Sequence, residues 1–153
     1  MTNVYSIPKY TIRLVRDGSV RQNPQISKPS DITDIIGVML TGLDRENLLV
    51  IMLDATNRVI GVNTVCVGSL NSAVVNMREI FKPAILCNAL TIIVAHNHPS
   101  GDPTPSLEDV NITKIIVDAG ELLDIGLLDH IIFADGDNGP LTVSLKERGL
   151  GFC

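Results

Sequence analysis

In the stretch "HNHPSGDPTPSLED", residues 96 to 109, two histidines stand one residue apart, and a serine and an aspartate stand three apart. Strand side chains alternate between faces, so His96 and His98 project the same way from a strand end, as two imidazoles sharing one ion must. Ser106 and Asp109 share a face of the first turn of a helix, and the seven residues after His98 are enough to fold that turn back over the strand end. Two imidazole nitrogens, one carboxylate oxygen and a water would complete a tetrahedral zinc site with one open position, the ligand set of a catalytic rather than a structural zinc. Each half also has a plainer reading. Histidines beside a turn often face solvent, and "SLED" is a capping box with Ser106 at the N-cap and Asp109 at N3. The whole arrangement of strand, HxH, loop and SxxD is more specific than either half.

The elements that must hold these residues are legible around them. "LTIIVAH" at 90 to 96 reads as a buried strand running into the histidines, and Leu107, Val110, Lys114 and Val117 support a helix from about Ser106 to Leu123. "LLDHIIFA" at 127 to 134 is another buried strand, and "DGDNGP" a turn with a short strand or helix after it. Upstream, "KYTIRLVR" at 9 to 16 alternates like a half-buried strand, and the polar stretch from Gln22 to Ser30 reads as a connector. Ile32, Ile35, Ile36, Met39, Leu40 and Leu43 fall on one face of a first helix that Ser30 or Asp31 can cap. "LLVIMLD", "ATNR" and "VIGVNTVCVG" form a strand, a turn and a second strand in hairpin register. Asn76 and Glu79 resemble a capping box for a helix whose apolar face is Met77, Ile80, Phe81, Ala84 and Ile85, with a kink expected at Pro83.

A chain of 153 residues is the size of one ordinary domain, divided here into an N-terminal strand and connector, 1–29, and a main domain, 30–153. The apolar fraction of 45% comes from Ile, Leu and Val rather than aromatics, which predicts an α/β or α+β fold with buried strands. A net charge of -5 argues against nonspecific binding to nucleic acid or anionic membrane, which needs clustered basic surface. Lys9, Arg13, Arg16 and Arg21 are spread widely enough to be a solvated strand face. Cys66, Cys87 and Cys153 are odd in number with no CxxC spacing, so a reducing cytoplasm is expected, with Cys153 an exposed tail thiol. The N-terminus has no apolar core of a signal peptide, and the run "LLVIML" is too short to span a bilayer. No membrane association is expected.

The pattern H-x-H, seven residues, S-x-x-D is the signature of the JAMM (JAB/MPN) metalloproteases, and His96, His98, Ser106 and Asp109 match it without a gap. The longer string "REIFKPAILCNALTIIVAHNHPSGDPTPSLEDVNITK", followed by "LLDHIIF", resembles the RadC branch, named as DNA repair proteins, over roughly residues 30 to 150. The resemblance implies a curved mixed β-sheet flanked by helices, of the cytidine-deaminase-like JAB/MPN kind. It further implies zinc held by His96, His98 and Asp109, and a distant glutamate as general acid/base at the head of the strand after the first helix. Glu46 in "DRENLLVIMLD" stands at that place, while Glu79 reads as a cap of its own helix. In such a site the metal acidifies a water, Glu46 takes its proton, and Ser106 donates to the developing oxyanion. The implied reaction is hydrolysis of a peptide or isopeptide bond in a peptide or protein substrate.

Two other functions compete with hydrolysis. A DNA-associated protein or metal-dependent nuclease is suggested by the RadC name. However, the "HNH" at 96 to 98 is not the dispersed HNH nuclease motif, and the acidic balance opposes it. The sequence has no room ahead of residue 30 for the helix-hairpin-helix-like region that full-length RadC-like proteins usually carry. A non-catalytic interaction module would be expected to have lost ligands, whereas all five expected residues are present. Among the neighbours, His130 matches the RadC pattern and can sit near the site, but is read first as a satisfied structural histidine. Asp102 is read as a turn former, Ser100 as a loop hydrogen-bonding group, and Glu108 as pointing away from Asp109's face. The alternating N-terminal strand could pair across a homodimer.

Overall fold

The computed structural model describes residues 8–18, 24–68 and 75–152. Helix α1 spans Ser30–Leu40, strands β1 and β2 span Asn47–Leu53 and Val59–Val67, and helix α2 spans Met77–Leu86. Strand β3 spans Thr91–Asn97, helix α3 Leu107–Leu123, strand β4 Gly126–Gly136 and strand β5 Gly139–Ser144. The strands form one mixed sheet in the order β2-β1-β3-β4-β5, antiparallel throughout except for the parallel β3–β4 pair.

The unbroken apolar runs of β1 and β3 follow from burial on both faces. Leu48, Val50, Met52, Ile92 and Val94 point to one side, where Ile80, Phe81 and Ala84 of α2 and Ile112 and Ile116 of α3 pack on them. Leu49, Ile51, Leu53, Ile93 and Ala95 point to the other, where Ile32, Ile35, Ile36 and Leu40 of α1 close the core with Ile131 and Phe133 of β4. The expected α/β class, a mixed sheet flanked by helices, is therefore what the chain adopts, with α1 on one side and α2 and α3 on the other. Parallel neighbours need a crossover, and α3 supplies it between β3 and β4. That connection returns the first turn of α3 to the end of β3, which is where the two histidines lie.

Several local expectations are corrected. Residues 9 to 16 form no strand, and Tyr10, Ile12, Leu14 and Val15 are exposed. Alternation specifies a strand only where a neighbouring edge pairs with it. Part of the connector belongs to the domain: Gln25 bridges Arg58, and Ile26 is in the core. Neither Ser30 nor Asp31 caps α1, whose N-cap is Pro29; the Asp31 carboxylate instead accepts the Ser27 and Lys28 N–H groups. The Asn76 side chain makes no cap hydrogen bond, and Glu79 pairs with Lys82 at 2.8 Å. Ile85, expected in the core, is exposed. The buried face of α3 is Asp109, Ile112, Thr113, Ile116 and Gly120, whereas Leu107 and Lys114 face solvent. The Cys153 assignment lies outside the described residues.

At the start of β4, the buried Asp129 carboxylate accepts hydrogen bonds from His130 N–H, the Ser144 hydroxyl and Lys146 N–H. Burial raises its pKa above the usual value, although those donors pull the other way. Because the folded pKa exceeds the unfolded one, the associated stability is present below the unfolded pKa and is lost as pH rises through the folded pKa. Asp129→Asn, neutral at every pH, is therefore expected to gain thermal stability relative to the native chain between about pH 4 and about pH 7. Paired melting curves at the two pH values check this, and a constant difference between the chains would contradict it.

Candidate metal centre

β3 delivers His96 to the interior, and its backbone pairing continues one step past the strand, where His98 N–H donates to the Phe133 carbonyl at 2.8 Å. Both side chains therefore stay on the α3 side of the sheet. The loop then tightens at once. Gly101 N–H donates to the His98 carbonyl, and the Asp102 carboxylate accepts both the N–H and the hydroxyl of Thr104. Asp102 is thus the expected turn former, and the Ser100 hydroxyl accepts from its N–H within the loop. Gly101 takes a positive φ of 83°, which a residue with a side chain would hold only under strain.

The capping box is formed in full at the start of α3. Ser106 Oγ accepts from Asp109 N–H at 3.1 Å, and Asp109 Oδ2 accepts from Ser106 N–H at 2.7 Å. The plain reading of "SLED" is therefore correct, and the cap is what aims Asp109 at the histidines. Asp109 Oδ1 lies 3.1 Å from His96 Nε2, and Oδ2 lies 3.4 Å from His98 Nε2. The two Nε2 atoms are 3.0 Å apart. Glu108 is exposed and points elsewhere, as helix geometry predicts.

These separations suit a cation. Ligands about 2.0–2.1 Å from a tetrahedral zinc stand roughly 3.3 Å from one another, a spacing close to the 3.0 Å between the two Nε2 atoms and to the distance from each of them to its nearer Asp109 oxygen. The donor chemistry agrees. His98 Nδ1 lies 2.8 Å from the Asp102 carbonyl oxygen, which can only accept, so Nδ1 carries the proton and the neutral ring turns its Nε2 lone pair inward. A nitrogen lone pair, a second imidazole nitrogen and a carboxylate converging in a buried space require a proton or a cation between them. His96, His98 and Asp109 are the donor group among the described residues that meets this condition.

The Asp109 carboxylate supplies the negative charge that a proton or a cation at this point would balance. Burial pushes the Asp109 carboxyl upward, but the facing His96 and His98 imidazoles, whose positive charge when protonated favours the carboxylate, together with the Ser106 N–H outweigh it and hold the group far below the usual carboxylate range. The Asp109 carboxylate raises the His98 pKa against the opposing effect of burial, and the more distant Glu46 charge acts in the same direction. Ser106 is exposed, and accepting from Asp109 N–H leaves its hydroxyl proton available for another partner.

Glu46 comes to this group through strand pairing. Leu48 sits opposite His96 in the antiparallel β1–β3 register, Glu46 two residues ahead of Leu48 shares its strand parity, and the Glu46 charge acts on the His98 imidazole. Asn97, the residue between the histidines, fixes this approach from behind. Its Oδ1 accepts Asn47 N–H at 2.7 Å and its Nδ2 donates to the Arg45 carbonyl at 2.9 Å, so it holds the backbone on both sides of Glu46. On the other flank the Glu46 carbonyl accepts Gly68 N–H at 2.7 Å. Glu79 belongs to α2 and pairs with Lys82 there.

Sequence reasoning did not find Asn97. The available signal was a polar residue whose strand parity turns it away from the metal face and into the protein. Asn97→Ala removes both hydrogen bonds and leaves backbone groups to find other partners. The expected result is a loss of about 1–3 kcal/mol in stability with the three candidate ligands untouched. Denaturant unfolding and metal analysis of the variant check this, and loss of metal with unchanged stability would contradict it.

His130, weighed as a structural histidine, is fully satisfied and also stands directly behind the site. Its Nε2 is 2.8 Å from His96 Nδ1, and its Nδ1 is 2.6 Å from the Thr113 hydroxyl. Complete burial, reinforced by the neighbouring His96, holds its pKa well below the ordinary histidine value. Thr113 was also missed, although its position four residues after Asp109 puts both on one face of α3.

A mixed sheet whose parallel crossover brings an HxH strand end under an SxxD helix start, with a donor triad between them, is the architecture of a JAB-type domain. The chain belongs to the RadC family of these domains: the family described as RadC-like JAB domain matches residues 26–150. It is 49% identical over 140 residues to a UPF0758 protein of Chloroflexus aurantiacus, covering 92% of this chain and 59% of that protein. It is 48% identical over 128 residues to a UPF0758 protein of Roseiflexus castenholzii, and 44% identical over 128 residues to one of Caldanaerobacter subterraneus. The chain spans 53–59% of the length of these relatives. Among the described residues, no helix is long and apolar enough to cross a membrane.

Proposed function

We propose that this chain is the hydrolase domain of a zinc-dependent metallopeptidase of the JAMM type, cleaving a peptide or isopeptide bond in a protein substrate. The observation that carries the reading is the convergence of His96 Nε2, His98 Nε2 and the Asp109 carboxylate within 3.0–3.4 Å of one another. A zinc ion held there supplies Lewis acidity to the scissile carbonyl and makes water a competent nucleophile near neutral pH.

The remaining chemistry falls to the chain's own side chains. Glu46, half-buried and close enough for its charge to act on His98, accepts the proton released by the attacking water and returns it to the leaving nitrogen. The Ser106 hydroxyl, exposed at the start of α3, donates to the oxygen on which negative charge develops. Water adds to the carbonyl carbon, the C–N bond breaks, and a carboxylate and an amine leave. The peptide or protein partner, a cytoplasmic setting and a homodimeric state belong to this reading as proposals.

The test is metal analysis of the purified chain, followed by incubation of zinc-loaded protein with peptide and isopeptide libraries and mass spectrometry of new amine ends. Stoichiometric zinc and chelator-sensitive cleavage are expected. A chain that binds no zinc, or whose cleavage survives complete removal of the metal, overturns the proposal.

A further inference from the structure

We propose that Thr113 and His130 are buried positioning residues, forming a hydrogen-bond relay that holds His96 in the tautomer whose Nε2 lone pair faces Asp109 and His98. The inference rests on the metal reading of that triad.

The direction of the relay is set at its far end by an atom that cannot donate. The Thr113 hydroxyl lies 2.6 Å from the Asp109 backbone carbonyl and 2.6 Å from His130 Nδ1. A hydroxyl has one proton, and spending it on His130 would leave two oxygen lone pairs facing each other at the carbonyl. Both contacts are satisfied only if Thr113 donates to the carbonyl and His130 Nδ1–H donates to Thr113. His130 Nε2 then carries a lone pair in the neutral ring, and at 2.8 Å it accepts from His96 Nδ1–H. With its proton on Nδ1, His96 has Nε2 free for a metal.

The alternative arrangements fail on chemistry. An extra proton on His130 Nε2 would force His96 Nδ1 to accept, moving the His96 proton to Nε2 and blocking its use as a ligand. It would also bury an imidazolium whose ring hydrogen-bonds Thr113 and His96, both neutral, with all three side chains fully buried. Gly151 packs against the Thr113 end of the relay. A Cβ added at Gly151 would lie 2.7 Å from Thr113 Cβ, so the glycine lets its segment pack directly on Thr113. Asp109 thus appears at both ends: its carboxylate faces His96, and its carbonyl orients the residues behind His96.

The experiment compares zinc affinity, by competition with a chromophoric chelator, in the native chain and in Thr113→Val, Thr113→Ser, His130→Leu and His130→Gln. In parallel, nitrogen-15 spectra of the histidine rings of the native protein report which ring atoms carry protons. Thr113→Val and His130→Leu are expected to weaken zinc binding about 10–100-fold, the range for lost outer partners of a ligating histidine. Thr113→Ser, which keeps the hydroxyl, and His130→Gln, whose carbonyl oxygen can accept from His96, are expected to recover most of the loss. The native spectra are expected to place protons on Nδ1 of both His96 and His130. A proton on His130 Nε2 rather than Nδ1, or native-like affinity in folded Thr113→Val and His130→Leu, overturns the relay. A native chain that binds no zinc overturns the metal reading instead, while the ring spectra still decide the direction of the hydrogen bonds. If the His130 variants do not fold, the Thr113 pair and the native spectra decide.

Discussion

Glu46→Gln is expected to lower hydrolysis by about 10²–10⁴-fold, the usual contribution of a positioned acid/base, while the zinc content stays at the native level. The two outcomes separate because Glu46 lies outside the donor triangle of His96, His98 and Asp109. Glutamine keeps the length and hydrogen-bonding capacity of the side chain but cannot take up and return a proton at neutral pH. The backbone on either side is held through Asn97, so the substitution leaves the frame in place. The measurement is turnover on any bond the native chain cleaves, alongside metal analysis of the same samples. Equal turnover in Glu46→Gln removes Glu46 from the reaction, and Glu79, paired with Lys82 on α2, offers no replacement.

Asp109→Asn is expected to have the largest effect on metal binding, weakening it beyond the roughly 10–100-fold that outer partners contribute. Asparagine is nearly isosteric, and its carbonyl oxygen can still accept the Ser106 N–H, so α3 keeps its start. What is lost is the one formal negative charge among the three donors. Ser106→Ala gives the complementary result. It removes the acceptor for Asp109 N–H, costing about 1 kcal/mol of stability, and leaves all three metal donors present. Thermal melts and zinc titrations on the two variants should therefore rank them in opposite orders. Retention of tight zinc binding by Asp109→Asn would mean that the carboxylate serves the helix alone.

The candidate triad was legible because its spacing carries geometry: strand parity fixes His96 and His98, and helix periodicity fixes Ser106 against Asp109. Glu46 was legible only through the resemblance, since nothing local in "DRENLL" says which residue of β3 it will face. Asn97 and Thr113 were not legible, because each acts through a partner distant in sequence, Arg45 and Asn47 for one and His130 for the other. His130 was visible as a buried histidine, but its neighbour depended on the parallel register of β3 and β4, a tertiary fact. The same distinction explains the N-terminal segment. "KYTIRLVR" has strand alternation but no pairing partner among the described residues, whereas β1 and β3, patterned less cleanly, are strands because they are buried between helices.

The hold of Asn97 on Arg45 and Asn47 has a consequence for how this site can change. The proposed base lies just ahead of β1 and the two histidines at the end of its antiparallel neighbour β3, so their meeting depends on whether an even or odd number of residues separates Glu46 from Leu48. Inserting a single residue there would leave every ligand, the zinc affinity and most of the core intact, yet turn the carboxylate toward α1. An insertion of that size would therefore separate carrying a metal from using it.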